Sequence, residues 1–594
     1  MKKSILYIIA ASALMLTSCD DFLEKNPRDT FTNTPAFWSN DNLVESYANR
    51  FYAYYGGATN FYFNVLNDDQ VDPTFSNWTF TNVPNTASAW SIYFHNKGIS
   101  IQKSAWSSRF TNIRRVNYLL DGLQSSTLPE ATKKKFEAIG RMNRAYVYSE
   151  MAKMYGDVQW ESHVILDSKD STKTKGPRTD QDVVMDSVVN DLNFAIANLA
   201  SNTSDKTLWS KELALAIKSE VCLYWGTYCK YRTAADNGKA ADQALAQKFL
   251  QESVSASEQL MSSGKFALND WDVAGTYENA ANPSKLYTIY NSLSLSANSE
   301  VIFYKHYEKD VVSHGLCDYT SGSTTQSGIT KDAIDAFLFR DGKPKATTTL
   351  STDDKAVLNG NGDYSISHFL KNKDRRLELL VDSVLAFKGH GWIRNEPSPD
   401  AALPAQMTSS TGYTVYKYDN PQMPMTYRTS TVGCYTDIPL YWYSVILLNY
   451  AEAKAELGTI TQADLDKSVN LLQHRAGLPS MTTTPEADPA NNMGVSNLIW
   501  EIRRSRRCEL MCDNNYRYWD LVRWHQMDKM DTKVNINANL GANVTNVDGA
   551  DKDANGYLKG TSAVRIFEPK YYHYPVPTND ITLNSQIKQN PNWK

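Results

Sequence analysis

Apolar residues recur along most of this chain at steps of three and four, the spacing that places them on one face of an α-helix. Ala138, Met142, Ala145, Ser149 and Ala152 form such a stripe in a helix predicted over 129–155, which Gly156 stops. The small residues in that stripe predict a closely approaching partner helix. Val184, Val188, Leu192, Ala195 and Leu199 form a second stripe, with Thr179 and Asp182 spaced ahead of it as a capping box. Leu213, Ile217, Val221, Tyr224 and Tyr228 mark a third. The same pattern predicts helices over 41–55, 106–123, 241–262, 441–457, 463–475, 496–511 and 518–527. Gly458 ends one of these, and Thr461, with Asp464 three residues on, caps the next. Amphipathic helices joined by short connections stack antiparallel. This predicts a mainly α fold of tetratricopeptide-like paired helices, although no strict repeat period is visible.

Two stretches break the pattern. Residues 56–103 carry no clear helix, and 270–440 are rich in Gly, Ser, Thr and Asn with one short helix over 332–339. A long irregular stretch in a compact protein is either functional or disordered, and 56–103 is too aromatic for disorder.

The chain starts with Lys2 and Lys3, an apolar run from Ile5 to Leu16, and Thr17-Ser18-Cys19. A basic head, a short apolar run and small residues before a break make a secretory signal, too short to span a bilayer. Ending on Cys, it resembles a bacterial lipoprotein signal, which implies cleavage before Cys19 and acylation of Cys19. The polar stretch to residue 40 reads as a tether. The formal net charge is -4, with no basic run, which argues against a nucleic-acid partner. No later apolar run is long enough to span a membrane, so attachment is by lipid only. Six cysteines follow Cys19: Cys222, Cys229, Cys317, Cys434, Cys508 and Cys512. In a chain of this size they do not make a disulfide framework, and they read as small buried hydrophobes.

Ordered motifs along the whole length resemble the SusD/RagB-like nutrient-binding lipoproteins of the Bacteroidetes outer membrane. They are Cys19-Asp20-Asp21-Phe22-Leu23, the run from Arg141 to Val158, Pro177-Arg178-Thr179 with Asp191-Leu192, Asn298-Ser299-Glu300-Val301-Ile302 and Asp374-Arg375-Arg376-Leu377. Tyr450-Ala451-Glu452-Ala453, His474-Arg475-Ala476-Gly477-Leu478, Arg506-Arg507-Cys508-Glu509-Leu510, Arg517-Tyr518-Trp519-Asp520-Leu521 and the closing Gln589-Asn590-Pro591-Asn592-Trp593 complete the set. Departures are Gln159 for a usual Pro, Ser505 for an acid, Asp513-Asn514 for Glu-Gly, and Trp442 and Val445 for Arg and Glu. The resemblance implies a SusD-like fold with a loop-rich ligand face. It divides the chain into signal 1–18, lipidated tether 19–40, an N-terminal helical region 41–269 and a C-terminal region 270–594. It also implies a non-catalytic protein, facing the cell exterior, that captures a glycan for a SusC-like TonB-dependent transporter, with no cofactor.

Sugar rings have apolar faces and hydroxyl rims, so their sites combine flat aromatic side chains with carboxylates or amides. Asp68, Asp69, Asp72, Asn77, Trp78 and Trp90 supply both kinds within one stretch and are the first candidates. Tyr319 and Trp392, the latter beside Gly389 and Gly391, are weaker ones. Trp78 and Trp90 read equally well as core anchors. A surface glycosidase is one alternative, but the three aspartates are too clustered to set two carboxyls across a bond. A helical scaffold that binds protein or peptide is the other. The arginines of 503–507, with Glu509, Arg517 and Asp520, favour a buried ion-pair network over an anion site. Residues 551–557 match the start of a calcium-binding loop, but Ser562 stands where the closing Glu belongs, so the reading there is a polar surface turn and no metal.

Overall fold

The computed structural model describes residues 33–56, 70–71, 99–165, 175–269, 289–317, 328–387, 390, 392–393, 406–407, 409–415, 417–420, 423–430, 432–560 and 567–593. Helices dominate. In the first half they are α1 (Asp41–Asn49), α2 (Ile99–Gln124), α3 (Glu130–Tyr155), α4 (Gln181–Asn198), α5 (Lys211–Tyr231) and α6 (Gln243–Ser262). Each packs on its neighbour: α3 lies between α2 and α4, and α5 packs on α4 and on α6. The stripe from Ala138 to Ala152 is buried throughout, as its small residues predict. Where α5 crosses α6, a side chain at Gly226 would meet Leu250 Cγ at 2.7 Å, and Ser253 Oγ donates to the Ser219 carbonyl at 2.7 Å. Close approach at that crossing therefore rests on glycine and serine.

The second half opens with β2 (Val301–Lys305), which pairs antiparallel with β6 (Ile438–Trp442). β6 leads into α8 (Tyr443–Glu456), buried on nearly all sides by α5, α6 and α11 (Asn497–Glu509). Between lie short elements, as the mixed composition predicts: β3 (Gly328–Ile329), α7 (Lys331–Ala336), β4 (Trp392–Ile393) and β5 (Gln406–Met407). α12 (Tyr516–Arg523) and the hairpin β7 (Leu540–Asn543) with β8 (Tyr557–Lys559) close the body.

Two local expectations change. The cap of α4 is Asp180, whose carboxylate accepts the Asp182 N–H, while Thr179 Oγ1 accepts from the Trp160 N–H at 3.1 Å. Thr179 is held by the antiparallel bridge to Val158 and cannot turn toward the helix. The helix expected over 463–475 is two, α9 (Gln462–Asp466) and α10 (Val469–Arg475). They break at Ser468, whose hydroxyl donates to the Leu465 and Asp464 carbonyls. The capping box at Thr461 and Asp464 forms as read.

The tail returns to the first half. Asn590 Nδ2 donates to the Tyr155 carbonyl at 3.0 Å, and Arg178 Nη1 donates to Asn590 Oδ1 at 2.8 Å. The Trp593 indole N–H donates to the His573 carbonyl at 2.9 Å.

Candidate functional site

Cys19, Asp68, Asp69, Asp72, Asn77, Trp78, Trp90 and Tyr319 lie outside the described residues, and of Trp392 only the backbone is placed, in β4. The strands beside them in sequence are placed, and they converge. β1 (Gln70–Val71), between Asp69 and Asp72 in the chain, pairs antiparallel with β3, Gln70 opposite Ile329 and Val71 opposite Gly328. The Ile329 N–H donates to the Tyr413 carbonyl at 3.3 Å. A Cβ at Gly328 would stand 2.0 Å from Thr411 Oγ1, so only glycine lets β3 approach this closely. The 409–413 segment follows closely on β5, which pairs with β4 through Trp392 and Met407. Backbone pairing thus joins β1, β3 and the 409–413 segment in succession, and the β4–β5 pair lies next to that segment in the chain.

A cavity of about 610 Å³ lies next to this convergence. β3 runs directly into α7, where Thr330 caps the helix and Asp332 and Asp335 line the cavity. The turn Ile536–Asn539 packs beside β1 and α7, and Asn535 and Asn537 contribute amides. The far wall is α11, with Trp500, Arg504 and Arg507 one turn apart along one face. Trp500 is half-buried; its indole N–H donates to Asp488 Oδ2 at 3.3 Å, and the Arg504 guanidinium lies 5.4 Å from its ring. Arg507 Nη2 stands 2.7 Å from Asp332 Oδ2. Burial pushes the Asp332 carboxyl up, but Arg507 outweighs it and holds the carboxyl below its usual range. Pro344, Pro489, Met493 and Val534 complete an apolar surface, and Val534 and Ile536 are 57% and 60% exposed. An indole, apolar walls, amides and fixed guanidinium groups suit a ligand with apolar faces and a polar rim. From sequence, this arginine helix reads as an ion-pair network in preference to an anion site. The available signal was Trp500 with Arg504 at i,i+4 after a Pro- and Asn-rich loop.

A second cavity of about 420 Å³ lies among α2, α3, α5 and α12, reaching Gly56. Its floor is charged: Lys153 Nζ stands 2.8 Å from Glu150 Oε1 and 3.9 Å from Glu220 Oε1, and the Tyr516 hydroxyl donates to Glu220 Oε2 at 3.4 Å. Burial raises Glu220, whereas Lys153 outweighs burial at Glu150 and lowers it. The two carboxylates share one ammonium, an internal ion-pair cluster.

The other motif arginines pair as read. Arg503 bonds Glu456 at 2.9 Å, Arg506 bonds Asp520 at 2.9 Å, and Arg504 pairs with Asp488 and Glu501. The 551–557 segment is the β8 hairpin turn. Asp553 Oδ1 accepts the Asn555 and Tyr557 N–H groups, and Lys552 Nζ donates to the carbonyls of Val544, Thr545 and Val547.

A family model described as the SusD family matches residues 291–593, and one described as "Starch-binding associating with outer membrane" matches 21–223. A SusD-like protein of Bacteroides ovatus is 24% identical over 297 residues, which is 48% of this chain and 49% of that protein, so the match spans about half its length. A SusD-like carbohydrate binding protein of Bacteroides fragilis has a solved structure with TM-score 0.67 and 20% identity, covering 93% of this chain and 100% of that one. A chain solved with xylogluco-oligosaccharide gives TM-score 0.57 and 16% identity, covering 91% and 97%. No helix among the described residues is long and apolar enough to cross a membrane. With the family model covering just over half its length and the fold shared over 93% of it, this chain belongs to the SusD family.

Proposed function

We propose that this protein captures an oligosaccharide at the cell surface and hands it to a SusC-like TonB-dependent outer-membrane transporter. Acyl chains on Cys19 hold it to the outer membrane, facing outward; the tether expected over 19–40 is cut short at its far end, because Pro35–Trp38 is helical and Trp38 is buried in the body. It binds its ligand without cleaving it. Membership of a family with starch-binding and carbohydrate-binding members supports the glycan. The observation that supports the reading is the β1–β3 pairing: Gln70 and Val71, which lie in the chain between Asp69 and Asp72, pair with the strand that runs into α7, a wall of the Trp500 cavity. Asp68, Asp69, Asp72, Asn77, Trp78 and Trp90 are the proposed ligand residues. Tyr319 and Trp392 are weaker members of the proposed set. Aromatic rings stack on the apolar sugar faces, and the carboxylates and amides take the hydroxyls.

The test is calorimetric titration of a glycan panel, xylogluco-oligosaccharides and starch fragments included, into the wild type, the W78A/W90A double variant and W500A. The double variant is expected to lose at least tenfold in affinity with an unchanged melting midpoint. Wild-type affinity in that variant would remove the stretch from the site. Release of shortened sugars on prolonged incubation would replace capture with hydrolysis. Binding of no glycan at all would favour a protein or peptide ligand.

A further inference from the structure

Cys317 and Cys434 meet in the core, at the root of the 318–327 segment. His314 and Cys434 form an antiparallel bridge, each N–H donating to the other's carbonyl, at 2.7 and 2.8 Å. Three residues past His314, the Cys317 sulfur lies 2.8 Å from that of Cys434. Non-bonded heavy atoms ordinarily pack about 3.5–4.0 Å apart. Met423, Tyr427 and Tyr435 close over the pair, and both sulfurs are shut off from solvent.

We propose that Cys317 and Cys434 are joined as a disulfide in the exported protein, fastening the root of the 318–327 segment to the approach of β6. Exported proteins meet the oxidising conditions in which such bonds persist. The environment also separates the two sulfurs. Cys317 is raised, by its hydrogen bond to Cys434 and by burial. Cys434 is lowered: burial opposes this, but the hydrogen bond from Cys317 and the nearby His314 prevail. Both nitrogens of the His314 ring are engaged by backbone, Nε2–H donating to the Thr436 carbonyl at 2.9 Å and Nδ1 accepting the Leu316 N–H at 3.1 Å. By contrast, burial pushes the thiols of Cys222 and Cys508 up to about 12, which leaves them inert.

The oxidant is a disulfide-bearing donor. While this part of the core is still open, the thiolate of either cysteine, for instance Cys434, attacks one donor sulfur, and the S–S bond of the donor breaks to give a mixed disulfide and a donor thiolate. The Cys317 sulfur then displaces the second donor sulfur from Cys434. The donor leaves as two thiols, carrying the two protons and two electrons the cysteines have lost. Because both sulfurs end up sealed, the bond forms before this part of the core closes.

Full-length protein made by the export route is denatured without reductant, alkylated with iodoacetamide and digested. A peptide joining Cys317 to Cys434 is expected, with Cys222, Cys229, Cys508 and Cys512 alkylated. The C317S/C434S variant is expected to melt several degrees below unreduced wild type, at a midpoint that reductant does not move. Alkylation of both Cys317 and Cys434 in the unreduced exported protein would overturn the proposal. If the variant fails to fold, the wild-type map decides alone. The proposal rests on export and not on glycan binding, so this map and the glycan titration fail independently.

Discussion

Glu452 shows what the family's motif residues do. Its carboxylate takes Arg523 Nη1 and Nη2, each at 2.6 Å, and the Trp524 indole N–H at 2.7 Å, all within the core. Arg144 pairs likewise with Asp191, at 2.8 and 2.9 Å, and Arg475 joins Glu300 to Glu509. One motif thus supplies the counter-charge of another. A buried pair gains little over apolar packing, but an unpartnered half costs about 3–5 kcal/mol. Replacing Glu452 by Gln is therefore expected to cost about 3–5 kcal/mol at pH 7, read from urea midpoints. Burial pushes this carboxyl up, but Arg523, then Arg506 and Arg503, outweigh it and hold it at about 2. The folded value lies below the unfolded one of about 4.3, so the stabilisation is present above about pH 4.3 and fades as pH falls toward 2. The gap between wild type and E452Q should narrow between pH 5 and pH 3, and an unchanged gap would contradict the pairing. The arginines were legible as pairing residues because no exposed charge run explains them. Several partners were not, since Asp332, Glu452 and Glu456 come from other helices and no local spacing announces them.

At the scale of elements, the helices were legible and their contacts were not. Periodicity exposes a stripe; it does not say that a glycine lies under a tryptophan. Gly122 on α2 is such a case. A Cβ there would fall 2.2 Å from Trp38 Cε2, and Trp38 is locked by its indole N–H to Asn33 Oδ1 at 2.7 Å and by Ser126 Oγ donating to its carbonyl at 2.6 Å. Gly122→Ala is expected to destabilise by about 3 kcal/mol in chemical denaturation, because the ring must leave its seat. Adding Trp38→Phe, a smaller ring, should restore part of that loss, and a simple sum of two losses would mean the sites do not touch. The two-residue strands escaped the sequence reading for a related reason. β1 and β3 exist only through partners more than 250 residues away, and two residues carry no period. The break at Ser468 escaped it because one hydroxyl hydrogen bond decides it.

Across the whole molecule, buried contacts join the two regions on either side of residue 269. Asn449 Nδ2 donates to Ser219 Oγ at 3.0 Å, and Arg523 Nη1 to Thr227 Oγ1 at 2.9 Å. Ligand capture and attachment then belong to different parts of one body, with the proposed anchor at Cys19 beyond a tether. Cys19→Ala is expected to leave the glycan affinity of purified protein unchanged and to lower glycan uptake by cells. Loss of affinity in that variant would show that lipid and site are not separate. The family was legible because its motifs are scaffold and recur in order. The ligand was not, because the residues proposed to touch it belong to the irregular stretches, where spacing carries no structural meaning.

The tail adds a matter of timing. Asn590 closes on the Tyr155 carbonyl across 435 residues of chain. At about 5–20 residues per second, synthesis alone keeps the end of α3 waiting roughly 20–90 s for that partner. Through that interval the Tyr155 carbonyl has only Arg178 Nη1, at 3.2 Å, and the Met154 carbonyl waits for the Tyr574 N–H at 2.7 Å, which comes only slightly sooner than Asn590. The last contacts to be made are thus with one of the earliest helices to be synthesised, and the step that seals the body is a late one.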